Sequence, residues 1–274
     1  MPEIDLAAVT ADALVEIRAH RPLIHQITNY VVMNDTANVT LHIGASPVMA
    51  HAIGEVREMV RHAGALVLNI GTLDPSWIEA MLAAGAEANE RGVPVVLDPV
   101  GVGATTLRTD AVEAILAAVR VEIIRGNAAE LSAIAGLAAE IQGVDSISAD
   151  APDAAALIVA RRIGGAAVVS GAIDHVADAT RAARVENGHP LMGAITGSGC
   201  MATALVGAFR AVQPDPFLAA AAAMIAFGVA GEIAAERSAG PGTFRPNLMD
   251  AVYGLDGDVI RARARATVTE VQRA

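Results

Sequence analysis

Short apolar runs rich in β-branched residues alternate with longer, alanine-rich amphipathic runs along most of this chain. The short runs recur at the spacing of βαβ units with right-handed crossovers. They lack polar alternation, as expected for parallel strands that are covered on both faces. The pattern therefore predicts an α/β fold with a central, mostly parallel sheet and helices on both faces. The predicted strands are residues 23–28, 65–70, 93–97, 121–124 and 166–170, and the predicted helices are residues 31–41, 53–61, 76–91, 110–119, 128–135 and 153–163.

The pattern changes after residue 170. Residues 173–176 and 182–186 predict two strands joined by a turn, which would form an antiparallel edge of the same sheet. Two long helices are predicted next, followed by a loop rich in glycine and proline over residues 238–246 and then by a final helix and strand. The two long helices are predicted at residues 199–212 and 216–237. Because no linker or composition shift divides the chain, we expect a single domain over residues 1–274.

The charge composition excludes several classes of function. The net charge is −11, and all 19 basic residues are arginine, because the chain contains no lysine. A P-loop lysine, a Schiff-base lysine and a lysine general base are therefore excluded. Phosphate groups would have to be neutralised by arginine, backbone N–H groups or a metal ion. The acidic balance and the absence of a basic stripe argue against nucleic acid as a partner.

Cysteine content and hydropathy bear on the cellular compartment. One cysteine in 274 residues allows neither an internal disulfide nor a paired-cysteine metal site, which favours the reducing cytoplasm. Residues 1–12 contain three acidic and no basic side chains, unlike a secretory signal peptide. Two runs carry no charged residue. Residues 190–209 are long enough to span a membrane but contain many small or polar residues, and residues 216–231 are short for a span. We expect buried helices rather than a membrane partner.

A glycine-rich turn at residues 194–200 (AITGSGC) ends a β-branched stretch and leads into an apolar helical run. Such a turn leaves the backbone N–H groups of Gly197, Ser198 and Gly199 unpaired at the positive end of a helix, which suits a phosphate group. It also places Cys200 in the first helical turn, where the helix end lowers a thiol pKa. A lone cysteine is equally a common small core residue, so both interpretations stay open.

Polar residues stand where four of the predicted strands end. Asn69, Asp98, Arg125 and Ser170 each lie at or just beyond the end of such a strand. In doubly wound sheets, ligands bind at the carboxyl ends of the strands. The sequence therefore predicts that these four side chains and the glycine-rich turn share one rim of the sheet.

The chemistry of this rim is that of a phosphotransferase without a P-loop. Asp98 and Glu130 would supply hard oxygen ligands, directly or through water, for a Mg²⁺ that bridges nucleotide phosphates. Arg125 can pair with a phosphate where lysine is missing, and the N–H groups of residues 197–200 would face the transferred group. Each residue also has a structural interpretation, Asp98 in an Asp-Pro turn and Glu130 in a capping box with Asn127.

A second cluster of candidates lies near the N-terminus. His25, Asn29 and Met49 belong to two segments, residues 23–32 and 41–50, and they could line a pocket for a small, partly apolar organic substrate. Core packing together with a helix N-cap explains the same residues equally well.

Six segments stand in a fixed order along the chain. They are residues 25–34 (HQITNYVVMN), 44–50 (GASPVMA), 64–73 (GALVLNIGTL), 92–104 (GVPVVLDPVGVGA), 124–130 (IRGNAAE) and 196–200 (TGSGC). In this order and spacing the chain resembles the hydroxyethylthiazole kinase family, which comprises ribokinase-like enzymes of thiamine biosynthesis and salvage. The resemblance covers nearly the whole chain and implies a ribokinase-like fold.

The resemblance also implies a reaction and an acceptor site. The γ-phosphate of ATP would be transferred to the primary hydroxyl of 4-methyl-5-(2-hydroxyethyl)thiazole. Met49 and Gly197 would contact this thiazole alcohol, with Asn29 and Val31 lining the pocket. The family is typically a homotrimer with active sites at subunit interfaces, so part of each pocket would come from a neighbouring subunit.

On the nucleotide side, the resemblance implies that Arg125 and Ser170 contact ATP and that Asp98 and Glu130 serve Mg²⁺. Two departures from the family pattern concern this side. Ser170 stands where threonine is usual, which keeps the hydroxyl group, and Ala172 stands where the family often has glutamate.

Cys200 occupies the place where most ribokinase-like kinases carry an aspartate base. A thiol at a helix end could accept the substrate proton, but phosphoryl transfer through a loose transition state needs little prior deprotonation. Our hypothesis is that Cys200 mainly positions the hydroxyl group, with base catalysis secondary.

Three other functions are alternatives to a thiazole-alcohol kinase. An ATP-dependent dehydratase or a pyrimidine-alcohol kinase of the same fold would be expected to carry aspartate in place of Cys200. A thiol hydrolase would need a histidine within hydrogen-bond reach of Cys200 and an oxyanion hole. A thiazole- or nucleotide-binding protein without activity would have no need to retain Asp98, Arg125, Glu130 and Cys200.

Overall fold

A single large sheet organises the protein. The computed structural model describes residues 4–137 and 151–271, so residues 1–3 of the acidic N-terminal segment lie outside the described part. The strands of the described residues are β1 (Leu23–Ile27), β2 (Ser46–Val48), β3 (Ala65–Asn69), β4 (Val95–Asp98), β5 (Ile123–Asn127), β6 (Ala166–Ser170), β7 (Asp174–Ala177), β8 (Arg181–Val185) and β9 (Ala266–Glu270).

Helices fill most of the connections between these strands. The α-helices of the described residues are α1 (Leu6–His20), α2 (Met33–Ile43), α3 (Val56–Val60), α4 (Pro75–Arg91), α5 (Thr106–Ala118), α6 (Ala128–Ala135), α7 (Ala151–Ile163), α8 (Ser198–Arg210), α9 (Pro216–Glu236), α10 (Pro241–Gly254) and α11 (Gly257–Arg263). A short 3₁₀ helix, Pro190–Ala194, precedes the glycine-rich turn.

The strand order confirms the predicted sheet. It runs β2-β1-β3-β4-β5-β6-β7-β8-β9. Pairing is parallel from β2 through β6 and antiparallel from β6 through β9. Neighbouring parallel strands keep the register that aligns their ends, because Asn69 pairs with Asp98 and Asn127 pairs with Ser170. The polar residues at these ends are therefore brought to one edge of the sheet.

The core lies on both faces of the sheet, as the apolar runs predicted. Alternate residues of one strand enter different clusters: Ala65 and Val67 face one side of the sheet, and Leu66 and Leu68 face the other. The first side is covered by helices α1, α2, α8, α9, α10 and α11, and the second by helices α3 to α7. Full burial of both faces explains why these strands are continuously apolar rather than alternating.

Three elements differ from the prediction. Helix α1 was not predicted, although the Asp5 carboxylate caps it by accepting the Ala8 N–H group. Strand β2 was not predicted. It has only three residues, one of them Pro47, and such short edge strands show little periodicity in sequence. The loop predicted over residues 238–246 was wrong from Pro241 onward, where α10 begins.

The error in α10 has a physical reason. Proline is favoured in the first helical turn, where an N–H group would have no intrahelical partner. Pro246 lies deeper in the helix, but the hydrogen bond it cannot make would go to the first turn at Gly242. Local glycine and proline content therefore predicted a loop where packing of Phe244 and Leu248 into the core holds a helix.

Helix α9 is the element that bears on the membrane question. It is the one helix of the described residues that is long and apolar enough to cross a membrane, and 83% of its most apolar window is buried inside the protein. It packs against α1, α8 and α10. The prediction of a buried core helix is confirmed here, and the same holds for α8, which packs on β3 and β4.

Candidate active site

Five side chains form a hydrogen-bonded chain across the carboxyl ends of β1, β3 and β4. The Asn29 amide donates to Asn69 Oδ1 at 2.8 Å, and the Asn69 amide donates to Asp98 Oδ2 at 2.8 Å. Thr203, on α8, donates its hydroxyl to the same Asp98 oxygen at 2.9 Å. Cys200 Sγ accepts from the amides of Asn69 at 3.3 Å and Asn29 at 3.6 Å. These hydrogen bonds join the ends of β1, β3 and β4 to the first two turns of α8.

Asp98 is the buried carboxyl group of this hydrogen-bonded network. Only 1% of its surface is exposed. Burial raises the pKa of the Asp98 carboxyl to about 6, and the Glu130 carboxylate raises it further, while Arg125 opposes the shift. A buried carboxyl whose ionised form is disfavoured is an electrostatic environment that a bound cation relieves.

The glycine-rich turn has the geometry that an anion site requires. Gly197 has φ +86°, a left-handed conformation that favours glycine, and a Cβ atom there would lie 2.6 Å from Val32 Cγ1. Helix α8 begins at Ser198, so the N–H groups of its first turn have no partner within the helix. They stand at the positive end of the helix dipole, beside Cys200.

The pKa of Cys200 moves in the opposite direction from the helix-end expectation. Burial raises the pKa of the Cys200 thiol to about 12, and the negative charge of Asp98 raises it further, while the amides of Asn69 and Asn29 and the charge of Arg125 oppose the shift. The helix end is a local effect, whereas desolvation and the nearby carboxylate come from the tertiary fold. The thiol is therefore protonated at neutral pH.

Arg125 links the glycine-rich turn to the end of β6. Its guanidinium donates to Ser170 Oγ at 2.6 Å, and a Cβ atom at Gly199 would lie 2.6 Å from its Nη1 atom. Glycine at position 199 thus lets the guanidinium approach the start of α8. Among the described residues, Arg125 Nε is one of three buried side-chain polar atoms without a hydrogen-bond partner. An unsatisfied buried donor is uncommon and points to a functional group.

A cavity of about 480 Å³ opens beside Arg125. Arg125, Ser170 and Ser198 are among the polar residues that line it. Its lining also includes apolar side chains such as Met192 and Phe227. A cavity of this size, lined by apolar groups and a guanidinium, fits an organic anion of the size of a nucleotide.

Glu130 takes the structural role that the sequence left open and also stands at the rim. It forms a capping box with Asn127 at the start of α6, and its other carboxylate oxygen accepts the Gly101 N–H group at 2.8 Å. Among the described residues, no cluster of three or more histidine, cysteine or acidic side chains would hold a metal ion by itself. Mg²⁺ is usually bound by one or two carboxylates together with phosphate oxygens and waters. The pair Asp98 and Glu130 therefore fits a metal ion that binds together with a nucleotide.

The acceptor-side candidates lie at the ends of β1 and β2. Asn29 is buried and belongs to this hydrogen-bonded network, and its Oδ1 atom accepts the Val31 N–H group at 3.0 Å. Met49 follows β2, next to β1 at the same edge of the sheet. The Val31 side chain is 63% exposed, so within one chain it forms an open rim rather than an enclosed wall.

His25 lies behind these candidates. It is fully buried in β1, and its Nε2 atom lies 2.7 Å from the Ala50 carbonyl oxygen. Because a carbonyl only accepts, Nε2 carries the proton, and burial lowers the pKa of the ring so that it is neutral. His25 therefore holds the segment that follows Met49 in place through the Ala50 carbonyl.

Two residues of the site were not predicted from the sequence. Thr203 contacts Asp98 from the second turn of α8, and only its position one helical turn after Gly199 could have indicated that face. Asp174 lines the cavity, accepts the Gly171 N–H group at 3.0 Å, and has its pKa raised by burial to about 6. It begins a strand, where an acidic residue is usually exposed.

The geometry can be compared with that of known proteins. A hydroxyethylthiazole kinase from Desulforudis audaxviator (strain MP104C) is 54% identical over 256 residues, covering 93% of this chain and 94% of that protein. The solved structure of a hydroxyethylthiazole kinase protein from Pyrococcus horikoshii OT3 superposes with a TM-score of 0.87 at 45% identity, covering 96% of this chain and 99% of the other. A pyridoxal kinase from Staphylococcus aureus, solved with AMP-PCP and pyridoxal, has a TM-score of 0.62 at 14% identity over 91% of this chain and 99% of its own, a likeness of fold alone.

The sheet order, the two helical layers and the glycine-rich helix start at the strand ends define a ribokinase-like kinase fold. The family model of the hydroxyethylthiazole kinase family matches residues 14–258. The chain belongs to the hydroxyethylthiazole kinase family.

Proposed function

We propose that the protein transfers the γ-phosphate of ATP to the primary hydroxyl of 4-methyl-5-(2-hydroxyethyl)thiazole, in thiamine biosynthesis or salvage. The observation that carries this proposal is the meeting of the α8 N-terminus, the Arg125 guanidinium and the buried Asp98 carboxylate at one rim of the sheet. Residues 1–274 would act as one ribokinase-like kinase domain.

ATP would bind in the cavity beside Arg125. The guanidinium, already held on Ser170 Oγ, presents its remaining donors to phosphate oxygens. The N–H groups of Gly197, Ser198 and Gly199 would form the anion hole for the transferred group, because they lie at the positive end of α8. Without a lysine in the chain, these donors and a metal ion have to neutralise the phosphates.

Asp98 and Glu130 would hold Mg²⁺, directly or through water. When bound, this ion neutralises charge on the phosphate oxygens as the phosphoryl group leaves ADP. The contribution of the chain is to keep both carboxylates near the rim: Asn69 and Thr203 fix Asp98, and the capping box fixes Glu130.

The thiazole alcohol would bind at the ends of β1 and β2. Asn29 and Val31 would line this pocket, and Met49 and Gly197 would contact the ring and its hydroxyethyl arm. The exposure of Val31 supports a pocket that is completed by a neighbouring subunit. We therefore propose a homotrimer with active sites at subunit interfaces, for which light scattering should give about three times the 27.9 kDa mass of one chain.

The proposed location is the cytoplasm. The single cysteine of the chain is unpaired and belongs to the site, so it takes no part in a structural disulfide. The partners would be ATP and a small alcohol, both small metabolites. Neither nucleic acid nor a membrane would be a partner. The proposal would fail if a fusion to a redox-sensing reporter showed the native protein in an oxidising compartment.

Cys200 would position the attacking hydroxyl. In the reaction, the alcohol oxygen forms a bond to the γ-phosphorus while the bond from phosphorus to the bridging oxygen of ADP breaks. The hydroxyl proton is lost late, to phosphate or solvent, because the transition state is loose. A thiol whose pKa is raised to about 12 by burial cannot serve as a base at neutral pH, but it can accept or donate a weak hydrogen bond.

A hydrolytic function is disfavoured by the same geometry. Among the described residues, the hydrogen-bond partners of Cys200 Sγ are the amides of Asn29 and Asn69, and no histidine is in reach of the thiol. A protonated thiol without a base is a poor nucleophile.

The first test of the proposed function is ADP release from purified protein with ATP, Mg²⁺ and hydroxyethylthiazole. Hydroxymethylpyrimidine and a reaction without acceptor are the controls. We expect ADP only with the thiazole alcohol, and none after addition of EDTA. Equal release with hydroxymethylpyrimidine would favour a pyrimidine-alcohol kinase, and binding of ATP and thiazole without ADP release would favour a binding protein.

Cys200→Ala is expected to lower kcat by about tenfold, less than the 10²–10⁴-fold that a general base contributes. Because the thiol stays protonated below its raised pKa of about 12, the pH profile of kcat between pH 6.5 and 9.5 should have the same shape in wild type and variant. Steady-state kinetics across this range is the measurement, with Cys200→Ser as the conservative variant. Loss of activity to background with ATP binding intact would contradict the positioning role.

A further inference from the structure

Arg108, near the start of α5, connects two loops of the rim. Its guanidinium donates to the carbonyl oxygens of Ile70 at 3.0 Å and Gly71 at 2.8 Å, in the loop after β3. It also donates to the carbonyl oxygen of Val100, in the loop after β4. One side chain thus joins two loops that α4 and β4 separate along the sequence, in addition to the backbone hydrogen bond from the Ile70 N–H group to the Asp98 carbonyl oxygen. We call them the acceptor loop (residues 70–72) and the carboxylate loop (residues 99–103).

The acceptor loop packs directly on the proposed thiazole pocket. A Cβ atom at Gly71 would lie 2.5 Å from the Asn29 amide nitrogen, so the backbone is in close contact with that side chain. The Gly71 N–H group donates to Asn69 Oδ1 at 2.9 Å, and Thr72 Oγ1 accepts the Tyr30 N–H group at 3.1 Å. A shift of this loop would therefore move Asn29 and Asn69, the two amides that contact Cys200.

The carboxylate loop is tied in the same way to the proposed metal side. It follows Asp98, and its Gly101 N–H group donates to Glu130 Oε1. Gly101 has φ +73°, and a Cβ atom there would lie 3.1 Å from Arg108 Cδ. The loop is thus held between the Glu130 carboxylate and the stem of Arg108.

The contacts of Arg108 are those of a clamp rather than of a surface ion pair. Among the residues that the structure describes, no carboxylate forms an ion pair with Arg108, and the hydrogen bonds of its guanidinium all go to backbone carbonyls. A planar guanidinium can serve carbonyls in several directions at once, which the point charge of an ammonium group cannot do. The N-cap of α5 does not depend on this side chain, because it uses the Arg108 backbone N–H group and Thr105 Oγ1.

We propose that Arg108 is a positioning residue that holds the acceptor loop and the carboxylate loop in one arrangement, so that the bound alcohol and the bound phosphate meet at reacting distance. This inference rests on the proposed function. It assigns no contact between Arg108 and either substrate. Misplacement of reacting groups by about 1 Å can lower a rate about 10²-fold, which sets the size of the expected effect.

The test compares Arg108→Met and Arg108→Lys with wild type. Arg162→Met is the control, because Arg162 also donates to a carbonyl, that of Ile134, but lies just before the start of β6, at the end of the strands opposite the rim. Arg162 also pairs with Glu113 of α5, so this variant removes a contact to the same helix without touching the two loops. For Arg108→Met we expect kcat to fall about 10²-fold, and the Kd of hydroxyethylthiazole, measured by calorimetry without ATP or metal, to rise. The Kd of ATP in EDTA should be unchanged. Arg108→Lys should recover part of kcat, and Arg162→Met should leave kcat and both Kd values at wild-type levels.

Amide hydrogen exchange gives a readout that needs no activity. The Gly71 and Gly101 amides, which donate to Asn69 and Glu130, should exchange faster in Arg108→Met than in wild type and Arg162→Met. Wild-type kcat and wild-type exchange in Arg108→Met would overturn the proposal, as would equal losses of kcat in Arg108→Met and Arg162→Met. If Arg108→Met does not fold, unchanged kcat and exchange in Arg108→Lys would overturn it. If wild type releases no ADP with the thiazole, the proposed function fails, and exchange at these two amides still decides whether Arg108 joins the loops.

Discussion

Asp98→Asn is expected to lower kcat by about 10³-fold and, without ligands, to make the protein more stable. Asparagine can still accept the hydrogen bonds of Asn69 and Thr203 through its amide oxygen, so the local geometry is retained. It cannot supply a negative charge to a metal ion, and loss of a single group that stabilises transition-state charge lowers rates by 10²–10³-fold or more. The measurement is ADP release with hydroxyethylthiazole over a range of Mg²⁺ concentrations, with the exposed Asp110→Asn as control.

The gain in stability follows from the sign of the pKa shift. Burial raises the pKa of Asp98 to about 6, above its ordinary value, so the folded protein binds this proton more tightly than the unfolded chain does. The carboxyl therefore destabilises the fold increasingly as pH rises from about 4 to 6, and fully above that window. Lowering the pH removes this penalty, and so does asparagine at any pH.

Calorimetry in EDTA tests this sign. At pH 7.5 we expect the Tm of Asp98→Asn to exceed that of wild type by about 3–8 °C, and the difference should shrink near pH 5. Asp174, whose pKa burial also raises to about 6, is present in both proteins and contributes equally. A lower Tm for Asp98→Asn at pH 7.5 would show that the buried carboxylate stabilises the apo fold, and would contradict the electrostatic account of the site.

Arg125→Met is expected to lower kcat/KM for ATP by about 10³-fold, with contributions from both binding and turnover. Arg125 is the guanidinium beside the start of α8, and methionine keeps the length of its stem while removing every donor. Arg125→Lys should recover only a part, because an ammonium cannot reach Ser170 and a phosphate with the same planar geometry. The Kd of hydroxyethylthiazole should stay within about twofold of the wild-type value, because the acceptor side is formed by other strand ends.

Steady-state kinetics with varied ATP, together with ATP binding in EDTA, distinguishes the two contributions to this loss. The control is Arg120→Met, which removes an exposed arginine just before β5. An unchanged KM for ATP and an unchanged kcat in Arg125→Met would remove Arg125 from the nucleotide site. The cavity beside it would then need another ligand.

The sequence predicted the class of the sheet, mostly parallel with an antiparallel edge, but not its strand order. Continuous apolar runs separated by helical periods predicted the parallel strands β1 and β3 to β6 and the antiparallel edge, because burial on both faces leaves a local trace in each strand. Parallel strands align their carboxyl ends, so the same pattern placed Asn69, Asp98, Arg125 and Ser170 on one rim. The glycine-rich turn before α8 and the capping box of Glu130 are also local, since each depends on residues within a few positions of one another.

The tertiary structure decided what depends on distant neighbours. Strand β2 and the start of α10 depend on packing against the rest of the fold, although Pro241 also suits a first helical turn. Helix α1 carries a local N-cap signal at Asp5 that was not used in the prediction. The pKa of Cys200 is the clearest example: the helix end predicted a lowered value, but burial and the charge of Asp98, 102 positions away in sequence, raise it to about 12. Arg108 likewise shows no motif, because its partners are backbone carbonyls of two loops and any residue can supply those. Sequence alone predicted the groups at the strand ends and the glycine-rich turn, but not Thr203 and Asp174. The charge states and spacing of all these groups are set by desolvation and contacts that exist only once the sheet and its helices have packed.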